Sequence, residues 1–400
     1  IVLKLGPLGC TVITSNIPNS IDDFNVVKGN PVDILNVLGA GDAFMSGFLR
    51  GYLRGESLEK SANYANASGA LVVSRHGCAP AIPGENELLY YIENAANIPD
   101  PTSDITLNHL HRVSFRSTEE QEIFGFAFDH RKQLADLAEM YGEGLSKITE
   151  LKKLFIRSVE NTIEKLNIPE KNIGVLIDDT YGEDALNSIA EKAWWIGRPV
   201  ELPGSRPLKF EGQQSIGSKL QSWPLSHVVK CLFYYHPDDS DELKTKQEQK
   251  VKELYFACIQ SGHQLLLEVI PPSEYEMDEE IIPTVLKRFY DLEIKPDWWK
   301  LPALKDKSWV QVSDVINSYD PHCQGVLLLG LSAPIDTVRE SFSVAAKYNI
   351  CKGFTVGRTI FYEPAKLWMQ HKISDQELVD SVSTNYNELI QSWKKYKEEI

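Results

Sequence analysis

One lysine stands in the middle of a short apolar stretch, where its amine is placed to act as a nucleophile. Residues 296–302 read as a buried strand in which Lys300 shares a face with Trp298 and Pro302. An amine held among apolar neighbours loses solvation, which lowers its pKa, and a neutral amine can attack a ketone to form a Schiff base. Taken alone, the stretch favours a lysine that extends from a strand end to the surface, and only the rest of the chain reverses that preference.

Other charged residues lie in or at the ends of apolar runs in residues 120–400. Lys230 and Glu268 lie within two such runs, and Asp129 ends another. Carbonyl chemistry at Lys300 needs a group that moves protons, and Glu268 is our first choice for that base, with Asp129 second. Lys230 would keep Lys300 neutral through like-charge repulsion and would help to hold the substrate.

Two glycine-containing strand ends near the C-terminus predict a phosphate site. Gly330 and Gly357 would expose backbone N–H groups, Ser332 begins a predicted helix, and Arg358 offers a guanidinium fork. The alternative is that Ser332 only caps its helix and Arg358 pairs with a surface acid.

A glycine pair also precedes a predicted helix near the N-terminal end. Gly39, Ala40 and Gly41 would let backbone N–H groups approach an anion, and the helix dipole would add to the attraction. Asp42, in the first helical turn, is placed to take a proton from a hydroxyl nucleophile. The alternative is a glycine-rich loop whose aspartate only caps the helix.

The elements that must position these residues follow a repeating pattern. Eight short apolar runs alternate with helical patterns, and eight strand–helix units in about 280 residues predict a (β/α)8 barrel. A barrel brings the carboxyl ends of all strands to one face. A doubly wound open sheet is the structural alternative, but it usually has a phosphate-binding glycine turn after its first strand, and Asp-His-Arg at residues 129–131 is not one. The runs lie near residues 124–129, 174–179, 199–203, 228–235, 264–270, 298–303, 325–331 and 351–356.

Length and breaker residues predict two domains. Four hundred residues exceed one ordinary core. We expect an α/β unit in residues 1–97, a linker in 98–119 that is rich in turn residues at its start, and the barrel in 120–400. His109 and His111 could ligate a metal, but a surface strand or a docking arm fits them better because no third ligand is near in sequence.

The composition is that of a soluble globular protein, with 42% hydrophobic and 24% charged residues. A net charge of −15 excludes a broad basic field for nucleic acid or anionic membranes. The six cysteines are scattered without metal-ligand spacing, which predicts free thiols in the cytoplasm. No signal peptide or membrane-length apolar run is visible, and the chain begins without Met, so we expect it to be part of a longer protein.

Residues 36–42, Asn-Val-Leu-Gly-Ala-Gly-Asp, resemble the C-terminal signature of ribokinase/PfkB sugar kinases, with Asn36 where most of that family has Asp. The longer stretch of residues 36–51 looks like the corresponding sequence of the 5-dehydro-2-deoxygluconokinase group of inositol breakdown. The resemblance implies that Asp42 is the kinase base, and that ATP and Mg²⁺ serve the complete kinase. It covers only the C-terminal portion of that fold, so we expect no phosphorylation by these residues alone. It also implies an anion hole at Gly39, Ala40 and Gly41, and nucleotide contacts at Gly6, Gly9 and Asn66.

The charged strand ends resemble the class I tagatose-1,6-bisphosphate aldolase group. By that resemblance Lys300 is the Schiff-base lysine, and Asp129, Lys230 and Glu268 are the polar residues around it. No cofactor and no metal are expected for the aldolase, since a metal-dependent aldolase would need a histidine cluster at the strand ends.

Together the two resemblances predict an enzyme of inositol catabolism. The barrel would cleave 5-dehydro-2-deoxygluconate 6-phosphate to dihydroxyacetone phosphate and malonate semialdehyde. Arg206 or Lys209 would meet the substrate carboxylate. We expect a phosphorylated keto-sugar acid as ligand, no nucleic acid or membrane, and a homo-oligomer. The competing interpretation is a non-catalytic barrel that binds a sugar phosphate and stabilises or regulates the kinase.

Overall fold

The structure is a computed structural model, and it describes residues 1–114, 122–212, 214–276 and 278–399. The chain divides into two compact units, Ile1–Thr118 and Glu119–Ile400. Among the described residues, no helix is both long enough and apolar enough to cross a membrane.

The described part of the first unit combines a small antiparallel sheet with four α-helices. The sheet has the order β1-β2-β3. Phe44 and Phe48 of the first helix pack with Ala62 and Ala65 of the second, and Cys10 of the sheet joins this core. The elements are β1 (Val2–Lys4), β2 (Cys10–Val12), β3 (Val26–Val27), α1 (Ala40–Leu53), α2 (Leu58–Val73), α3 (Glu85–Asn94) and α4 (Ile105–Val113).

Helix α4 lies where the sequence suggested a surface strand around His109 and His111, and that expectation is wrong. The Asp104 side chain accepts a hydrogen bond from Leu107 N (2.8 Å) and so caps the helix at its start. His109 is buried, and His111 Nδ1 lies 3.0 Å from the buried Glu87 carboxylate of α3. The segment is therefore part of the fold of the first unit.

The second unit is the predicted (β/α)8 barrel, and this prediction is confirmed. Within its described residues, eight strands pair in parallel and close in the order β10-β11-β4-β5-β6-β7-β8-β9. The strands are β4 (Ile123–Ala127), β5 (Ile173–Leu176), β6 (Trp195–Pro199), β7 (His227–Tyr234), β8 (Leu265–Ile270), β9 (Trp298–Leu301), β10 (Gly325–Leu329) and β11 (Cys351–Val356). The helices are α5 (Lys132–Met140), α6 (Ser146–Leu166), α7 (Asp179–Ser188), α8 (Ile216–Leu220), α9 (Asp241–Ser261), α10 (Ile281–Asp291), α11 (Asp306–Tyr319), α12 (Ile335–Ala345), α13 (Arg358–Met369) and α14 (Asp375–Glu398).

The third strand begins earlier than the sequence pattern suggested. The expected run at 199–203 is instead the end of β6 and the loop after it, because Trp195 and Ile196 carry the buried pairing with β5 and β7. The strand ends at Pro199, which cannot donate to a ladder. Glu201 then pairs with Phe210 in an isolated antiparallel bridge.

The barrel interior explains how charged residues reach one place. Val228, Leu266 and Trp298 belong to an apolar layer inside the barrel. Because side chains alternate along a strand, the residue two positions further on points into the barrel again, one layer nearer the carboxyl ends. Those residues are Lys230, Glu268 and Lys300, and Asp129 follows Ala127 of the same layer in the same way.

Candidate active site

Lys230 is the centre of a buried charge cluster at the carboxyl ends of the strands. Its Nζ atom donates to Asp129 Oδ2 (3.1 Å) and Glu201 Oε1 (3.0 Å), and lies 2.9 Å from Glu268 Oε2. Burial opposes a charge on this amine, but the three carboxylates outweigh burial and hold the pKa of Lys230 well above its ordinary value. Lys230 is therefore a permanent cation in the site.

Glu268 connects the two lysines of the cluster. Its Oε1 atom lies 3.2 Å from Lys300 Nζ, while Oε2 faces Lys230. Burial raises the pKa of the Glu268 carboxyl, but Lys230 and Lys300 more than offset this and the pKa lies below its ordinary value. The surroundings of Lys300 are thus only partly apolar, with Trp298 beneath it and a carboxylate at its amine.

Asp129 is a buried carboxylate whose two oxygens have different neighbours. Oδ2 accepts the hydrogen bond from Lys230, and Oδ1 lies 3.9 Å from His130 Nδ1. Burial raises the pKa of the Asp129 carboxyl, but Lys230 and the other nearby cations lower this pKa by more. The carboxyl therefore stays ionised even at pH values well below its ordinary pKa.

His130 is a site residue that the sequence analysis did not select. Burial, together with Arg358, Lys300 and Lys230, lowers the pKa of its imidazole to about 3 against the opposing effect of Asp129. The ring packs edge-on against Phe361 at 5.4 Å between ring centres. The imidazole is therefore neutral at neutral pH.

Glu201 and Arg131 form a second group that sequence reasoning missed. Arg131 donates to Glu201 Oε1 (3.2 Å) and to Glu211 Oε2 (2.5 Å), and Leu232 N donates to Glu201 Oε2 (3.2 Å). With Lys230 included, the Glu201 carboxylate accepts from three donors. Glu201 could have been recognised in the sequence because, like Asp129, it lies just after a strand.

The loops after β10 and β11 lie side by side at the same end of the barrel. Thr359 at the start of α13 donates to Ala333 O in the β10–α12 loop (2.8 Å). A side chain at Gly357 would place its Cβ 2.4 Å from Ala127 O, so only glycine allows this close approach to β4. Leu331 and Ser332 have φ of 46° and 61°, a left-handed conformation that non-glycine residues adopt mainly where the surroundings enforce it.

Ser332 and Arg358 do not follow the alternatives considered for them. Helix α12 begins at Ile335 and Pro334 occupies its N-cap, so Ser332 does not cap it. Arg358 is half-buried at the first position of α13 and forms no salt bridge or hydrogen bond with the described residues. A half-buried guanidinium without an acid is available to bind an anion.

One cavity of about 140 Å³ is bordered by most of these groups, but Gly357 is not among the residues on its wall. The lysine–carboxylate cluster forms one side of it, and the loop after β10 and the start of α13 form the other. The predicted site residues on its wall are Asp129, Lys230, Glu268, Lys300, Gly330, Ser332 and Arg358, and the additional ones include His130, Arg131, Glu201 and Thr355.

Arg206 and Lys209 are not brought to this cavity. The Arg206 guanidinium is paired with the carboxylates of Asp239 and Glu274. Lys209 is exposed in the loop after β6. The Arg206 side chain is directed by these contacts between loops, which strand alternation does not determine.

The first unit carries the glycine loop at the start of α1. Gly39 has φ 85° at the N-cap, and Ala40 and Gly41 open the helix. Asp42 is exposed in the first turn, where a proton acceptor was expected. Asn36 Oδ1 accepts from Leu38 N (3.1 Å) and its amide donates to Gly77 O (2.8 Å), so it fixes the loop that precedes the helix.

The residues expected near a nucleotide lie close together beside the small sheet, where a Cβ on Gly9 would contact the same Val27 carbonyl that Asn66 binds. Gly6 begins a short 3-10 helix between β1 and β2, and Gly9 follows it. Asn66 of α2 donates both amide hydrogens to backbone carbonyls, those of Val27 (2.9 Å) and Lys28 (3.0 Å). This side chain therefore supports β3 in the structure. Across the described ranges, no group of three or more His, Cys, Asp or Glu is arranged to hold a metal ion.

The fold and the cluster define a (β/α)8 barrel with a buried lysine–carboxylate site at its carboxyl-terminal face, joined to a small α/β unit. Residues 87–397 match the family described as "Uncharacterized protein conserved in bacteria (DUF2090)", and the chain belongs to that family. Residues 1–84 match the pfkB family of carbohydrate kinases.

Two relatives and one solved structure are similar to parts of the chain. The "Probable fructokinase-3" of Arabidopsis thaliana is 30% identical over 101 residues, which are 24% of this chain and 28% of that protein. The "5-dehydro-2-deoxygluconokinase" of Listeria monocytogenes serotype 4a is 37% identical over 68 residues, or 17% of this chain and 21% of that protein. The chain thus spans less than a third of the length of these two curated relatives.

The structural comparison bears on the fold of the barrel. Fructose-bisphosphate aldolase from Plasmodium falciparum, solved in complex with TRAP and a small-molecule inhibitor, superimposes with a TM-score of 0.54. The match covers 74% of this chain and 96% of that chain at 10% sequence identity. At this identity the likeness shows that the second unit has an aldolase-like barrel fold.

Proposed function

We propose that the barrel is a class I aldolase that cleaves 5-dehydro-2-deoxygluconate 6-phosphate to dihydroxyacetone phosphate and malonate semialdehyde. The observation that carries this proposal is Glu268, whose two oxygens face Lys300 and Lys230 on the wall of the cavity. A buried amine beside a carboxylate is suited to reversible proton transfer and imine formation. The relatives named as 5-dehydro-2-deoxygluconokinases support the substrate, because the phosphorylated product of such a kinase is the ketose that the barrel would cleave.

Imine formation begins when Glu268 takes a proton from the Lys300 ammonium, which leaves a neutral amine. The amine attacks the C5 ketone, and Glu268 returns the proton to the hydroxyl that leaves as water. The resulting iminium withdraws electrons from C4. Lys230 remains charged throughout, because its three carboxylates stabilise the cation.

Carbon–carbon cleavage then needs a base for the C3 hydroxyl. Glu268 has given up its proton by this stage and takes the C3 hydroxyl proton, the C3–C4 bond breaks, and its electrons pass into the iminium to give an enamine. Malonate semialdehyde leaves, C4 is protonated, and water hydrolyses the imine to release dihydroxyacetone phosphate. The water lost on imine formation is recovered, so the reaction is a balanced retro-aldol cleavage.

The substrate phosphate is assigned to Arg358, Ser332 and the glycines of the adjoining loops, Gly330 and Gly357. Arg358 supplies the charge, and the loops supply backbone donors. Binding of the phosphate at this end of the cavity would position the ketone at Lys300, since the substrate chain is short.

For the first unit we propose a part in an ATP-dependent carbohydrate kinase. In the complete kinase, ATP and Mg²⁺ would supply the phosphoryl group, Gly39, Ala40 and Gly41 would bind its anionic oxygens, and Asp42 would accept the sugar hydroxyl proton. The left-handed Gly39 and the exposed Asp42 fit an anion loop.

A cleavage assay tests the proposal. The full chain would be incubated with the ketose phosphate, and dihydroxyacetone phosphate would be measured by enzymatic reduction. We expect cleavage that persists in EDTA and disappears in Lys300→Met. Activity lost in EDTA and restored by zinc would instead indicate a metal-dependent aldolase, and binding without cleavage would favour a regulatory barrel.

A further inference from the structure

The gap between Asp129 and His130 is the right size for one substrate oxygen. Asp129 Oδ1 and His130 Nδ1 are 3.9 Å apart, which is too far for a direct hydrogen bond. His130 Nδ1 is buried and has no hydrogen-bond partner among the described residues. Because buried polar atoms are nearly always paired with protein, water or ligand, this nitrogen requires another polar atom.

The His130 ring is held in place by its packing, so the gap is a fixed feature. One side of the ring meets the edge of Phe361, and a Cβ on Gly357 would lie 2.7 Å from His130 Cε1. The backbone carbonyl of His130 accepts from the buried Lys152 amine (3.5 Å). With neighbours on these sides, the imidazole cannot turn freely to find a different partner.

The charges around the gap select what it can bind. Burial, together with the charges of Arg358, Lys300 and Lys230, lowers the pKa of the imidazole and keeps it neutral, so one ring nitrogen donates and the other accepts. Asp129 Oδ1 is an ionised acceptor. A ketone oxygen cannot donate to that carboxylate, and a phosphate would be repelled by it. A hydroxyl can donate to Asp129 and accept from the imidazole at the same time.

We propose that Asp129 Oδ1 and His130 Nδ1 together bind one substrate hydroxyl, on the carbon next to the ketone. An oxygen at about 2.8 Å from each atom fits within their spacing. This assignment rests on the proposed function, and it makes the site selective for phosphorylated α-hydroxy ketones. It also gives His130 a role as a binding residue distinct from the phosphate contact of Arg358.

The test compares two ligands that differ by this hydroxyl alone. Dihydroxyacetone phosphate carries it, and hydroxyacetone phosphate has the same ketone and phosphate without it. Binding would be measured by calorimetry on the full chain carrying Lys300→Met, so that imine formation does not contribute. We expect this chain to prefer dihydroxyacetone phosphate by about tenfold or more, the usual value of a charge-assisted hydrogen bond.

The additional change His130→Phe should abolish that preference while affinity for hydroxyacetone phosphate stays the same. His130→Gln, which keeps polar atoms, should restore part of the preference. Arg358→Ala is the control, since it should weaken both ligands by the same factor and leave their ratio unchanged.

An equal loss for both ligands in His130→Phe, an unchanged preference, or no binding of either ligand to the Lys300→Met chain would overturn the assignment. The proposed aldolase activity fails separately. A hydroxyl preference that depends on His130, in a chain whose Lys300 never forms a reducible imine, would leave the hydroxyl site standing and reject the cleavage reaction.

Discussion

Arg358 offers the clearest test of substrate recognition at the level of one residue. Its guanidinium has no acidic partner among the described residues, although the chain as a whole is strongly negative. The site must therefore attract a phosphate locally. A charge-assisted hydrogen bond contributes about 1.5–3 kcal/mol, so Arg358→Ala should weaken binding of a ketose phosphate about ten- to a hundredfold. Turnover should also fall because the ketone is less well placed.

The measurement is steady-state kinetics with the phosphorylated ketose and with its unphosphorylated analogue. A large loss is expected for the first and little change for the second. Arg339→Ala is a matched control, since Arg339 lies on α12 and pairs with Asp336 and Glu388. Equal losses for both substrates in Arg358→Ala would show that Arg358 stabilises the barrel instead.

His130 gives a prediction about pH. The pKa of its imidazole falls from an ordinary 6.5 to about 3 on folding. Between these pH values the unfolded chain binds a proton that the folded chain does not. The contribution of a neutral His130 to the free energy of unfolding is therefore fully present above pH 6.5 and is lost as the pH falls. This contribution should amount to about 2 kcal/mol between pH 7 and pH 5.

Urea unfolding at the two pH values checks this point, with tryptophan fluorescence as the signal. All eight tryptophans lie between residues 194 and 393, so the signal reports on the barrel. His130→Gln should lose less stability on acidification than the unchanged chain. The same acid sensitivity in both chains would contradict a neutral, buried His130.

The sequence pattern identified the inward-facing charged residues on the strands, but only some of the site residues that follow the strand ends. Lys230, Glu268 and Lys300 follow apolar inward-facing residues at a spacing of two, so their direction is set by the period of a strand. His130 and Glu201 lie just after their strands, where that period no longer applies. The direction of Arg206 depends on a long loop and its acidic partners, which no local pattern encodes.

At the level of elements, the approach of β11 to β4 positions the phosphate end of the cavity. Gly357 directly follows β11, and a Cβ at this position would lie 2.4 Å from the Ala127 carbonyl oxygen. Gly357→Ala must push these two strand ends apart, and we expect a loss of about 1–3 kcal/mol in the free energy of unfolding. Since Arg358 follows directly, phosphate affinity should fall too.

Gly217→Ala is the matched control, because no atom lies within 4 Å of a Cβ at that position in α8. It should leave stability unchanged or raise it by up to about 1 kcal/mol. Both variants can be compared by urea unfolding and by binding of inorganic phosphate. If Gly357→Ala were as stable as Gly217→Ala, the close approach of β11 and β4 would not constrain the site.

At the scale of the whole molecule, the barrel was predictable because its pattern repeats eight times. Each strand–helix unit repeats the same periods, so one misplaced strand, at residues 195–199, did not change the topology. The short first unit lacks such repetition. Its helix α4 was not anticipated, since a nine-residue helix depends on the Asp104 cap and on burial of Leu107 and Val113.

The proposed cleavage requires a covalent intermediate at one of two neighbouring lysines. Borohydride reduces an imine to a stable amine, so the full chain would be treated with the ketose phosphate and borohydride, digested, and analysed by peptide mass. We predict a substrate-derived adduct on Lys300, absent from Lys300→Met, and unchanged in Asp42→Asn, whose substitution lies in the other unit. An adduct on Lys230, or cleavage of the substrate with no adduct on any lysine, would contradict a Schiff-base reaction at Lys300.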